Sequence, residues 1–232
     1  FNTAVLSDFS KKEQEYAQAF MDTYPELQRA LSKEYGDIGI HININFVNND
    51  YILDYVECDN HSDAPLGLFF TSRLEAVDLI KNNVTGKTQQ KNSYELPAGF
   101  DIFINMEKFS QILEICKEDS KENPNYIDGD IYSLYSTLPH EIAHAIAFAQ
   151  VSNKRTPLEI YDASNDINSI RQIQDRIEEG FQEKGTTEED FCENIGEKIA
   201  NAVVSKTSFL ENIFKTLHEE TKKSIKFSPK MF

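Results

Sequence analysis

Five consecutive residues, His140-Glu141-Ile142-Ala143-His144, constrain this chain more than any other stretch. Residues four apart on an α-helix project from one side, a turn apart. Two imidazoles so placed can close on one small cation while the intervening glutamate points near the open coordination position. The flanks ask for a helix, and a buried one: Ile142, Ala143, Ala145, Ile146, Ala147, Phe148 and Ala149 are nearly all apolar and compatible with helix. Two core histidines satisfied by hydrogen bonds are the plainer alternative. Against it, two imidazoles and a carboxylate within five residues of a buried apolar helix are costly without a partner such as a metal. Pro139 lacks an N–H and clashes one turn back, so the helix is expected to restart at Thr137 or to kink there.

The chemistry that fits this spacing is that of a zinc hydrolase. Zinc accepts neutral imidazole nitrogen, and catalytic zinc sites have three protein ligands plus a water whose pKa falls to about 7. His140 and His144 are then two ligands of one zinc ion per chain, and Glu141 is the general base that takes the proton of the zinc-bound water. No histidine follows at a short fixed distance to serve as third ligand. The stretch Thr186 to Ala200 offers carboxylates instead. On a helical wheel Phe191, Cys192, Ile195, Ile199, Ala202 and Val203 form its buried face. Glu189 and Glu193 lie together along one border, and Glu197 lies further toward solvent. One of the bordering pair can be the ligand while the other, a turn away, holds a ligand in place through a hydrogen bond. An acidic exposed stripe on an amphipathic helix is the competing explanation.

These residues carry a resemblance. The chain resembles the Glu-liganded branch of the zincin metallopeptidases, and its second segment is similar to the catalytic domain of anthrax lethal factor and its relatives. There the histidine helix is followed some forty to fifty residues later by a helix with Glu, an aromatic two residues on, and a second Glu at plus four. Glu189, Phe191 and Glu193 match that pattern. The resemblance implies Glu189 as zinc ligand and Glu193 as the residue that holds a ligand in place. Glu193-Asn194-Ile195-Gly196-Glu197 is also similar to the Glu-Asn-Ile-Ala-Asp segment of neprilysin-type peptidases, which would make Glu193 the ligand. The relatives of lethal factor carry a tyrosine one or two turns before the third ligand. Gln182 stands in that region here, which leaves Tyr161 and His218 as candidates for stabilising the oxyanion. The resemblance covers about residues 134–204. It implies zinc-dependent endopeptidase activity on a protein or peptide substrate, and a secreted bacterial toxin or effector that would work in the cytoplasm of a target cell. The alternative from another class is a non-catalytic binding or structural module that keeps a zincin fold. Glu141 argues against it, because a structural site has no use for a general base.

Charge narrows the partners. With 39 acidic and 23 basic residues the formal charge is −16, so a polyanion would be repelled and no nucleic-acid partner is expected. No apolar run approaches the length of a membrane span. Cys58, Cys116 and Cys192 are odd in number and widely spaced, which suggests free thiols and neither a disulfide framework nor a cysteine-based zinc site.

The expected fold is one α+β, zincin-like domain over 1–232. A helical segment at 1–36 precedes a small, mostly antiparallel sheet and the active-site helix at 37–150. A helical part carrying the third ligand follows at 151–232. Within it, Ser7 to Tyr35 reads as two helices broken at Tyr24-Pro25. Ile38, Ile40, Ile42, Ile44 and Phe46 alternate with polar residues as a strand. Asn48-Asn49-Asp50 reads as a turn into a hairpin partner at Tyr51 to Cys58. Leu68-Phe69-Phe70 is a short strand, Ser72 and Glu75 cap a helix to about Asn82, and Asn83 to Ala98 is a polar loop. Phe100 to Ile104 is a further strand, continuing as helix from Met106. Asp128-Gly129-Asp130 is similar to a calcium loop but lacks the carboxylate spacing, so it is expected to cap the helix that follows. A loop with Pro157, a helix over Ile167 to Glu183 and a last helix over Ser208 to Lys223 complete the order. A substrate would lie extended along an edge strand.

Overall fold

The computed structural model describes residues 1–22, 24–36, 40–53, 64–83, 98–122, 129–152 and 156–204. The expected helix over Ser208 to Lys223, the candidate His218, Cys58 and most of the loop over Asn83 to Ala98 lie outside these residues. Four strands form one sheet in the order β1 (Asn2–Val5), β2 (Ile42–Val47), β4 (Phe100–Asn105), β3 (Gly67–Phe70). The class is α+β, but the sheet is mixed and not mostly antiparallel. β1 pairs parallel with β2, β2 pairs parallel with β4, and only the β3–β4 ladder is antiparallel.

The physical reason lies in the connections. A parallel neighbour needs a crossover, and the chain makes one between β1 and β2 with helices α1 (Lys11–Asp22) and α2 (Tyr24–Tyr35). The hairpin partner expected from Tyr51 does not start there, and 54–58 lie outside the described residues. Asn49–Leu53 is a short helix, α3, with Tyr51 and Ile52 buried, so the Asn-Asn-Asp run opens a helix instead of turning a hairpin. Asn and Asp are residues of both turns and helix starts, and Asn49 is held in place when its side-chain oxygen accepts from Asn105 Nδ2 at 2.7 Å.

Parallel strands are covered on both faces, and β2 and β4 are buried at every position. Ile42, Ile44 and Phe46 join Phe100, Ile102 and Ile104 in the larger core, which includes α1, α2, α5 (Met106–Glu122), α6 (Gly129–Val151) and α9 (Glu188–Val204). Val47 and Phe103 face a smaller core with Tyr51, Ile52 and, from α4 (Arg73–Asn83), Ala76 and Ile80. Asn43, Asn45 and Asp101 are buried on that second face. Buried polar groups there must find partners: Asn45 Nδ2 donates to Asp101 Oδ1 at 3.2 Å, and Arg73 pairs with the same carboxylate. Ser72 caps α4 as expected, its hydroxyl accepting from Glu75 N–H.

The motif helix runs through Pro139 as one element, 129–151, with no restart at Thr137. It is gripped from two sides where neither neighbour has a side chain. At Gly67 of edge strand β3 a Cβ would stand 2.6 Å from Thr137 Cγ2 and 2.9 Å from Glu141 Cγ. At Gly196 of α9 a Cβ would stand 2.9 Å from the Ser136 carbonyl oxygen and 3.3 Å from His140 Cβ. These two close approaches fix β3 and α9 against the turn of α6 that carries the motif. α7 (Pro157–Ala163) replaces the expected loop: Thr156 caps it, Pro157 opens it, and Glu159 completes a reciprocal capping box. α8 (Ile167–Gln182) lies where it was expected. No helix among the described residues is long and apolar enough to cross a membrane.

Candidate metal centre

α6 presents His140, Glu141 and His144 from one half-buried stretch, with Ile142, Ala143, Ala145 and Ile146 of the same turns in the core. The Nε2 atoms of the two histidines face each other at 3.3 Å. Glu189 completes the group from α9, with Oε2 at 3.4 Å from His140 Nε2 and Oε1 at 3.5 Å from His144 Nε2. Two donors bound to one tetrahedral zinc at about 2.0–2.1 Å lie about 3.3 Å apart. Each neighbouring pair of these donors, the two imidazoles with each other and each imidazole with one Glu189 oxygen, thus has about the separation of two ligands on one such ion, and two imidazoles with one carboxylate are a donor set that zinc accepts. These three residues form a group that could hold a metal ion.

Local sequence explains why α9 delivers its first turn here. Past the end of α8, Gly185 takes the left-handed region at φ +70°, where its N–H donates to the Gln182 carbonyl and Thr186 N–H to that of Phe181. Thr187 and Asp190 then cap α9 reciprocally: Asp190 N–H donates to Thr187 Oγ1, and Thr187 N–H to Asp190 Oδ2, both at 3.1 Å. Glu188 and Glu189 thus become the first two residues of the helix, beside the positive end of its dipole.

Glu188 is the residue that sequence reasoning missed. Its Oε1 lies 2.8 Å from Nδ1 of His144, whereas Glu193, expected to hold a ligand, is exposed and belongs to neither donor group among the described residues. A signal was present. Glu188, Cys192, Ile195 and Ile199 are spaced i, i+4, i+7, i+11, so Glu188 continues the buried face of α9. Phe69 of β3 stacks on the other side of His144, ring centroids 5.9 Å apart and planes 9° from parallel.

The electrostatics follow from burial and from neighbouring charges. Burial and then the positive charge of His144 lower the pKa of His140, against the opposing pull of Glu189, Glu193 and Glu188. Burial also works against the charged form of His144. The hydrogen bond to Glu188 and the charges of Glu141, Glu188 and Glu189 outweigh it and raise the pKa. Burial pushes Glu141 up to about 7, a rise opposed by the charge of His144, reinforced by Glu189, and opposed again by the backbone N–H of Phe69, which hydrogen-bonds its carboxylate. Cys192 is fully buried, and burial with the nearby carboxylates raises its thiol pKa, so it stays protonated.

A cleft of about 360 Å³ opens over the group, lined by Gly67, Leu68, Phe69 and Thr71 on one side and by Gln174 and Ile177 of α8 with Glu188 and Glu189 on the other. Tyr161 does not border it. Its ring is buried edge-on against Phe100, and its hydroxyl accepts the backbone N–H of His41. The structure therefore brings His140, Glu141, His144 and Glu189 together and leaves Tyr161 and Glu193 out. No family model, curated protein or solved structure matches this chain, so the reading of the site rests on its own residues.

Proposed function

We propose that this chain is a zinc-dependent endopeptidase, with His140, His144 and Glu189 holding the metal and Glu141 as general base. The observation that carries this reading is the convergence of two imidazole Nε2 atoms 3.3 Å apart with a carboxylate that sets one oxygen 3.4 Å from the first and the other 3.5 Å from the second, beside the half-buried carboxylate of Glu141. A bound zinc ion supplies Lewis acidity, polarising a carbonyl and lowering the pKa of water to about 7. The chain's own groups do the rest. Glu141 takes a proton from the attacking water as the C–O bond forms, and passes it to the amine nitrogen as the C–N bond breaks. Its position next to the metal-binding imidazoles, fixed by the Phe69 N–H, puts one carboxylate within reach of both events. Among the described residues β3 is an edge strand, bonded to β4, and its Gly67, Leu68 and Phe69 line the cleft. An extended peptide added to it would gain backbone hydrogen bonds without depending on side-chain identity. A histidine helix set against a sheet edge, followed by a helix that supplies a carboxylate, supports a zincin-like reading of this α+β fold.

The test is metal content and peptide cleavage on the same preparations. Wild type supplied with zinc is expected to retain one ion per chain after dialysis. His140→Ala and Glu189→Ala should lose it, and Glu193→Ala should keep it. A folded wild type that takes up no zinc sinks the reading. Zinc kept by Glu189→Ala but lost by Glu193→Ala would move the ligand one turn along α9.

A further inference from the structure

The resemblance assigns the steadying of a ligand to Glu193, and the geometry does not. We propose that Glu188 is the positioning residue of the metal centre: it holds the Nδ1–H of His144 and so turns the Nε2 lone pair toward His140 and Glu189. The inference rests on the proposed metal reading of those three residues.

Distance separates the roles of two adjacent carboxylates. Glu189 stands 3.5 Å from His144 Nε2, the separation of two donors sharing one ion, whereas Glu188 stands 2.8 Å from His144 Nδ1. The shorter value is that of a charge-assisted N–H···O⁻ hydrogen bond and is too close for two ligands of one tetrahedral zinc. An ionised carboxylate accepts only, so an imidazole proton sits on Nδ1, and in the neutral ring that binds a metal Nε2 keeps its lone pair. Consecutive residues thus address opposite nitrogens of a single ring, and the Thr187–Asp190 cap fixes both at once.

Other contacts make the arrangement rigid. Phe69 covers one face of the imidazole. The buried Cys192, one turn along α9, has its sulfur within 4.8 Å of the His144 and Glu188 donor atoms. The Glu188 side chain is 29% exposed where that of Glu189 is 68% exposed, so the former is the better shielded from water that would compete for the imidazole N–H. Glu193, exposed, reaches the site through its charge on His140.

The experiment compares wild type, Glu188→Ala, Glu188→Gln and Glu193→Ala by chelator competition for Zn²⁺ and by proton NMR of the imidazole N–H region in the zinc-loaded protein. Removing such an outer partner typically weakens metal binding by about 10- to 100-fold. Glu188→Ala should show that loss together with disappearance of a downfield Nδ1–H resonance. Glu188→Gln, which keeps an acceptor oxygen, should recover part of the affinity, and Glu193→Ala should stay within about twofold of wild type with the resonance in place. The thermal midpoint of the metal-free protein reports any loss of fold separately, and if Glu188→Ala does not fold, Glu188→Gln decides by the same two readouts. Zinc bound as tightly by the folded Glu188 variants as by wild type, or a loss in Glu193→Ala as large as in Glu188→Ala, overturns this inference and leaves the metal reading intact. A wild type that binds no zinc overturns both.

Discussion

Glu141→Gln is expected to lower peptide hydrolysis by about 10²- to 10⁴-fold, the range for loss of a positioned general base, while zinc stays at one ion per chain. The amide is nearly isosteric, and its oxygen can still accept the Phe69 N–H that fixes the carboxylate now. It cannot take up a proton from water at neutral pH. The substitution also removes a charge that burial disfavours, so the fold is not at risk and a loss of activity cannot be put down to unfolding. Glu141 is not one of the three grouped donors, His140, His144 and Glu189, which is why metal content and activity should separate. Hydrolysis retained at the wild-type rate would remove Glu141 from the chemistry. A wild type that holds zinc, folds and cleaves nothing, with Glu141→Gln no different, would favour a metal-stabilised binding module instead.

How much of this was legible in the residues depends on whether the signal was local. The motif helix, β2, β4 and α8 were readable because each repeats an apolar period over several turns or pairs. The capping residue Ser72 was readable because Glu75 stands three positions on. α7 is less legible although Thr156-Pro157-Leu158-Glu159 carries an equivalent capping box, because its seven residues are too few for an apolar period to repeat. The sheet pairing was not readable. Asn43 and Asn45 look like the solvated face of a half-exposed strand, yet both are fully buried. Their partners, Asp101 with Arg73 for Asn45 and Asn2 for Asn43, lie far along the chain and leave no mark on the local pattern. Tyr161 shows the converse limit. A tyrosine in the right part of a sequence is compatible with an oxyanion role, and here its hydroxyl is occupied by the amide of His41, 120 residues away. The carboxylate of the candidate donor group was legible to within a turn. Choosing among Glu188, Glu189 and Glu193 required knowing where α9 starts, and the Thr187–Asp190 box held that information.

Gly196→Ala provides a second large effect, and its sign tests how α9 is seated. In an ordinary helix interior, alanine in place of glycine stabilises by about 1 kcal/mol, since glycine has more backbone freedom to lose on folding. Gly180, inside α8, is such a case: nothing lies within 4 Å of where its Cβ would go. Gly180→Ala should therefore raise the unfolding free energy by up to about 1 kcal/mol. At Gly196 the new methyl would meet the Ser136 carbonyl oxygen at 2.9 Å and His140 Cβ at 3.3 Å. The first of these is backbone of α6 and cannot rotate away. Overpacking of this kind costs about 1–3 kcal/mol, which offsets the propensity gain and is expected to leave a net destabilisation of up to about 2 kcal/mol. Urea unfolding of the two variants should move in opposite directions from wild type. A second consequence separates the close approach from a generic loss of stability. Glu188 and Glu189 ride on the helix that must shift, so Gly196→Ala should also weaken zinc binding measured by chelator competition under conditions where the protein is fully folded, and Gly180→Ala should not. Equal stabilisation of both variants, with zinc affinity unchanged, would mean that α9 does not press on α6 at His140, and the placement of both glutamates would have to be revised.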